Sequence, residues 1–280
     1  MKHLTRFLTC AFIAAGLTGC AVNPVTGKKE MIIDSVQQDI AAGQQHYGPS
    51  QQSQGGKYVV DPALTVYVNQ VGKKIAAVVD GPKLPYEFVV LNNDTPNAWA
   101  LPGGKLAINR GLLVQLEDEA QLAAVLGHEI VHAAARHSAS AKAQQMVVGA
   151  GALLAGAVIA NKKPEYGVLA VGALAVGANA WNSKYSRDHE LDSDKYGIKY
   201  MVKAGYDPQA AVELQELFVR MFDKREPSWI EGMFASHPPS RDRVAANRAE
   251  VTKYPKGGVR NKDAFQRALA QLKRDRKSVV

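Results

Sequence analysis

His128 and His132 stand four residues apart in the stretch LGHEIVHAAARH, Leu126 to His137, and no other spacing constrains this chain as strongly. Four residues carry an α-helix about 40° past one full turn, so both imidazoles project from one face. The flanks argue for that helix. Asp118-Glu-Ala-Gln121 forms a capping box, and apolar residues follow at helical spacing. Two neutral imidazoles on one face are good ligands for Zn2+, and Glu129 between them can reach the metal's open position and take a proton from water there. His137 lies nine residues from His128, about 180° round the same helix. It is therefore expected to point off the site, as a helix-end residue favoured by the macrodipole.

By composition, HExxH arises by accident in about one chain in a hundred of this length, so a third ligand on another element is the confirming feature. Glu190-Leu-Asp-Ser-Asp194 follows 58 residues beyond His132, in a segment that reads as a helix. Its two carboxylates are i and i+4. One can bind a metal while the other orients a ligand imidazole through its free N–H. By itself the pair reads as a solvated acidic face; the upstream histidines reverse that reading. His189 adjoins Glu190 but sits about 100° away on the helix and falls outside the expected site.

The N-terminus bounds where such chemistry can take place. Lys2 and Arg6 precede an apolar run from Phe7 to Leu17, too short for a mature membrane span, which reads as a secretory signal over residues 1–19. It ends Leu17-Thr-Gly-Cys20, a lipobox-like sequence in which Cys20 becomes the lipidated N-terminus. The two cysteines are Cys10 and Cys20, so the processed chain has no thiol pair for a disulfide and no cysteine metal site. Ala21, rather than Asp, after the cysteine resembles lipoproteins sorted to the outer membrane, facing the periplasm of a two-membrane bacterium. The formal charge of +8 loses Lys2 and Arg6 with the signal and becomes +6. With an export signal present, this reads as solubility or affinity for anionic lipid, not nucleic-acid binding.

At 280 residues, 46% hydrophobic and 21% charged, the chain is an ordinary globular one, and without a repeat one domain is the economical reading. AVNPVTGKKE reads as a short polar tether. Asp34-Ser-Val-Gln37 caps a helix expected to run to about Tyr47, and residues 48–56 read as a linker. Asp61-Pro62 starts a helix with Leu64, Val68, Val71, Ile75 and Val78 on one face, stopping at Gly81-Pro82. Tyr86–Leu91 reads as a buried strand, and Pro102-Gly-Gly104 as the turn joining strands Ala98–Leu101 and Lys105–Asn109. The Ala/Gly-rich runs 146–160 and 167–180 are short for a membrane hairpin and read better as buried or groove-lining helices. Gly205 ends the helix that carries Glu190. Asp207-Pro208 begins the next, and a basic helix starts near Asp263.

HExxH, then ExxxD, with NAWALPGG before and SHPPSRDR after, resembles the gluzincin metallopeptidases of the CaaX-prenyl-protease/HtpX type, in particular their periplasmic lipoprotein members. The likeness covers about residues 58 to 250. It implies an α+β, mostly helical, zincin-like fold with a small β-sheet or hairpin beside the active-site helix. The chain divides accordingly: signal 1–19, lipidated tether with a short helix 20–56, metallopeptidase domain 57–255 and basic C-terminal helix 256–280. The resemblance implies that His128, His132 and Glu190 bind one Zn2+, that Glu129 is the general base and that Asp194 orients a ligand. His237 is implied either as a ligand of the open zinc position in a latent state or as an oxyanion stabiliser. Arg243 could face the site. NAWALPGG is expected at a sheet edge where an extended substrate adds as a strand, with Asn97 and Trp99 as substrate contacts, although a simply packed Trp99 fits as well. Unfolded or misfolded proteins are the expected substrates. The competing reading is a chaperone-like assembly factor with a latent protease site.

Overall fold

The structure, a computed structural model, describes residues 20–162 and 185–277. The signal segment and the 167–180 run lie outside the described residues. Strands β1 (Cys20–Val22) and β2 (Lys29–Met31) pair antiparallel. The expected tether is thus a hairpin, and Asn23 explains why. Its Oδ1 accepts from the backbone N–H groups of Val25 and Thr26, holding the turn. Its Nδ2 donates to Glu30 and to the carbonyl of Ala135.

Helix α1 (Val36–Ser53) is capped by Ser35, with the reciprocal bond from Gln38, one residue later than expected. It also runs through most of the expected linker, with Pro49 inside it. Proline is tolerated there because Gln45 and Pro49 lie on the exposed side, where water can take the freed carbonyl. The opposite stripe, Gly43, Tyr47 and Gln51, is buried, and Tyr47 donates its hydroxyl to the Leu106 carbonyl. Tertiary burial outweighs linker composition here.

Helix α2 (Pro62–Ala76) buries Leu64, Val68, Val71 and Ile75 behind an Asp61 cap; it stops before Val78, which packs against the core from the following turn. The sheet comprises β3 (Glu87–Leu91), β4 (Ala98–Leu101) and β5 (Lys105–Asn109), in the order β3-β5-β4. β5 is parallel to β3 and antiparallel to β4, so β4 is an outer edge. Alternation divides the sheet between two cores. Phe88, Val90, Leu106 and Ile108 join the main core, whereas Val89, Leu91 and Ala107 meet Tyr47 of α1.

A short helix, α3 (Arg110–Leu113), leads into α4 (Glu119–Ala134), the metal-motif helix, which is buried along its whole length. Asp118 caps it by accepting from Gln121, but the Gln121 side chain reaches the N–H of Glu117 instead of Asp118. α4 ends because Arg136 is left-handed, at φ 59. That is an unfavourable conformation for a non-glycine residue, held by ion pairing to Asp39 and a hydrogen bond to the Asp34 carbonyl. A new helix, α5 (His137–Lys162), starts immediately. Ala139 and Ala143 in its first turns are buried, whereas Met146, Val147 and Val148, at the start of the run expected to be buried or groove-lining, are exposed. Among the described residues no helix is long and apolar enough to cross a membrane.

Helix α6 (Arg187–Lys203) is capped by Ser186 and lies against α4. Gly127 and Gly197 permit the close approach. A Cβ on Gly197 would stand 3.1 Å from the His128 nitrogen, and one on Gly127 3.3 Å from the Gly197 carbonyl. The remaining helices are α7 (Gln209–Asp223), α8 (Pro227–Glu231), α9 (Met233–Ser236), α10 (Arg241–Val251), α11 (Lys262–Ala268) and α12 (Ala270–Lys277). The last two replace the single C-terminal helix expected from sequence, and they bury Phe265, Leu269 and Leu272. The fold is α+β and mostly helical.

Candidate metal centre

The crossing of α4 and α6 brings the motif's two histidines against Glu190, and the loop before α10 adds His237. One ligand atom from each of His128, His132, Glu190 and His237 lies within 4.8 Å of all the others, and all four residues are buried. Nε2 of His128 is 3.1 Å from Nε2 of His132 and 3.3 Å from Nδ1 of His237. Oε1 of Glu190 is 3.3 Å from Nε2 of His132 and 2.9 Å from Nδ1 of His237. A tetrahedron with arms of about 2.0–2.1 Å, as in zinc sites, has edges of roughly 3.3 Å. The donor set therefore fits a metal in both chemistry and spacing.

Charge gives a second argument. Glu129, Glu190 and Asp194 are buried with one buried guanidinium, that of Arg243; once His237 is deprotonated, as a metal ligand must be, two negative charges remain for a divalent cation to balance. Burial alone would raise Glu190, but His237 and Arg243 hold its carboxyl well below the usual range. Burial also opposes charge on His237, yet Glu190 and Glu129 raise it to about 9. Among the described residues, neither carboxylate oxygen of Glu129 has a hydrogen-bond partner; the nearest cationic atom is Nε2 of His237, at 3.6 Å. A buried carboxylate left open in this way is poised to act as a base.

Each motif histidine is held from behind. Nδ1 of His128 lies 2.9 Å from Oδ1 of Asp194. Asp194 in turn accepts two bonds of 2.7 Å from Arg243 and one from Gln215. Arg243 does face the site, but its guanidinium also pairs with Glu190 and donates to the Pro238 carbonyl. Those bonds assign it a supporting role and leave little for a substrate. Burial would raise Asp194, and Arg243 overcomes this and lowers it.

His137 stands outside the ligand cluster, as expected, but for a different reason. Because the chain turns at Arg136, His137 does not continue the motif helix. It is fully buried, with Nδ1 3.0 Å from Nδ1 of His132. His189, which the angular argument left out, stacks on His137 with ring centroids 4.3 Å apart and planes 9° off parallel. Burial lowers both, His137 well below the ordinary imidazole value. Tyr185, which sequence reading missed, places its ring 3.9 Å from that of His132 and bonds Ser138. No local sequence signal marks it.

A cleft of about 490 Å³ leads to His237. Asn97 just before β4 and Trp99, Ala100 and Leu101 within it line the cleft, with His46 and Ser50 of α1, Gln54 at its C-terminal end, and Tyr185 and Ala141 among others. Asn97 and Trp99 are therefore at the cleft, and Trp99 also packs edge-on against Tyr47. The packing of Trp99 is thus clear, and its ring also borders the cleft.

An HExxH helix crossed by a second helix that sets a glutamate beside its histidines, next to a cleft bordered by an edge strand, is the arrangement of a metallopeptidase. The sequence profile of peptidase family M48 matches residues 62–251, and the chain belongs to that family. It is 31% identical over 199 residues to a putative beta-barrel assembly-enhancing protease of Vibrio cholerae, an alignment spanning 70% of this chain and 40% of that protein. It is 37% identical over 183 residues to the mitochondrial metalloendopeptidase OMA1 of Schizosaccharomyces pombe, spanning 64% of this chain and 51% of that one. The metalloprotease YcaL of Escherichia coli is 32% identical over 190 residues, spanning 64% and 69%. The chain thus spans less than half the length of the assembly-enhancing protease it matches.

Proposed function

We propose that this chain is a zinc-dependent endopeptidase of the bacterial envelope that hydrolyses unfolded or misfolded envelope proteins. In this reading it is exported by residues 1–19 and held at the outer membrane, facing the periplasm, through lipid on Cys20. The observation that carries the chemistry is the convergence of His128, His132 and Glu190 beside the open carboxylate of Glu129. The N,N,O donor set favours zinc. A divalent metal held there supplies Lewis acidity to the scissile carbonyl and makes water a stronger acid. Glu129 takes the proton of the attacking water and later delivers it to the leaving amine. Asp194, fixed by Arg243, keeps the His128 ring turned toward the metal. The edge of β4 pairs with the substrate backbone, which requires an extended, unfolded segment. His237 would serve either as a further ligand that keeps the site latent or as a donor to the oxyanion when substrate is bound. The Vibrio cholerae relative's name supports an envelope role.

A second reading, a chaperone-like assembly factor with a latent protease site, draws on Nδ1 of His237 within the ligand cluster. Casein degradation by protein lacking residues 1–20 separates the two. Cleavage is expected, and it is lost with a chelator and in Glu129→Gln. Activity persisting in Glu129→Gln sinks the mechanism. No cleavage in any arm, with aggregation of a denatured client still suppressed, favours the chaperone.

A further inference from the structure

Around Arg136 the chain reads Ala134-Ala-Arg-His-Ser-Ala139, mostly good helix formers, and by local preference α4 and α5 would be one helix. In a continuous helix His137 would stand five residues and about 140° round from His132, unable to reach its Nδ1. The left-handed Arg136 breaks that path and brings the two Nδ1 atoms to 3.0 Å. Such a conformation is unfavourable for an L-residue, so other groups must hold it.

The groups that hold it come from residues 23–39, ahead of the family-matched residues 62–251. Asn23 donates from Nδ2 to the Ala135 carbonyl at the end of α4. Arg136 donates from Nε to Asp39 and from a terminal nitrogen to the Asp34 carbonyl. Asp34 also pairs with Lys142 of α5, and Lys28 with Asp192 of α6. This segment thus ties together the three helices that carry His132, His137 and Glu190. The ties are unequal. Lys28 and Lys142 are 53% and 39% exposed, and ion pairs so open to solvent are worth little. The Asp39–Arg136 pair is buried on both sides, and loss of either partner strands the other charge.

We infer that Asp39 is a positioning residue of the metal centre: by fixing Arg136 in its left-handed turn, it keeps His137 behind His132. The inference rests on the metallopeptidase reading of the site and adds a part supplied from outside the family-matched residues. Zn2+ affinity of the detergent-solubilised full chain, read by competition with a chromophoric chelator, tests it without turnover. Asp39→Ala should weaken Zn2+ binding by up to about tenfold, no more than the loss of His137 itself. In a His137→Ala background the same change should shrink below about twofold, whereas a merely structural loss would be equal in both backgrounds. Glycine adopts a left-handed turn without strain. Arg136→Gly added to Asp39→Ala should therefore recover most of the affinity, and Arg136→Ala added instead should not. Neither double variant strands a guanidinium, so their comparison decides the matter even where Asp39→Ala alone fails to fold. Equal affinity of the two double variants overturns the inference, as does an undiminished effect of Asp39→Ala in the His137→Ala background. Wild-type protein that binds no Zn2+ removes the metal reading itself, and the inference with it.

Discussion

The two histidines of the motif are alike in sequence and in the face they present, yet they are supported by opposite kinds of group. Behind His128 stands a carboxylate, Asp194, locked by Arg243 and Gln215. Behind His132 stands a neutral imidazole, His137, itself stacked on His189. If Nε2 of each ring faces the cluster, each Nδ1 carries the proton and donates it backward. His128 then donates to a charge. His132 donates to a lone pair, which places the proton of His137 on Nε2, buried and without a partner among the described residues. A charged acceptor makes its imidazole a more basic ligand; a neutral acceptor fixes orientation and adds little charge to a site that already holds three carboxylates. The asymmetry lets the protein grip both rings without burying a further anion.

Removing the charged support should cost most. Asp194→Ala leaves Arg243 and the His128 N–H under-compensated in the interior, with an expected loss of about 3–5 kcal/mol in stability. Metal affinity should fall about 10–100-fold, read by urea melts and by competition with a chromophoric chelator. His137→Ala removes a neutral acceptor. It should cost about 1–3 kcal/mol and sit at the low end of that affinity range, and His137→Asn, which restores an acceptor, should recover part of the loss. Equal penalties for the two alanine variants would erase the distinction between the supports.

The smallest effect is the pH dependence of the chelated protein. Burial depresses His132, His137 and His189. Their contribution is therefore present above about 6.5, the unfolded value, and is lost as pH falls below it. His237, raised to about 9, works the other way: its contribution is complete below about 6.5 and lost as pH rises through 9. Asp194, depressed by Arg243, contributes above about 3.9 and is lost only as pH falls further. His137→Asn should flatten the slope between pH 6.5 and 5 by less than about 1.4 kcal/mol per pH unit, the limit for one proton. It should leave the acid limb unchanged. Urea midpoints from pH 8 to 3 decide this, and a flattened acid limb with an intact upper one would assign the titrations the wrong way round.

Features that depend on the period of one helix or strand were legible in the sequence. The faces carrying His128, His132, Glu190 and Asp194 follow from helical spacing, and the β4–β5 hairpin from its Pro-Gly-Gly turn. His137 was misplaced because the angle was carried across Arg136. That residue's left-handed turn is held by Asp39 and Asp34, about a hundred positions upstream, and nothing local announces it. The linker over 48–56 failed for the same reason: Gln, Ser, Gly and Pro favour loops until Tyr47 and Gly43 are packed against a sheet.

By itself, then, the sequence determined the chemical groups, the faces of the helices that carry them and the family of the chain. Tertiary structure alone decided which groups stand behind each ligand, that His237 closes the cluster, and that α1 walls the cleft. Local spacing fixes angles within an element, but a helix's neighbours depend on close approaches such as Gly127 to Gly197 and Gly43 to Pro102. Those are set by the packing of the whole core.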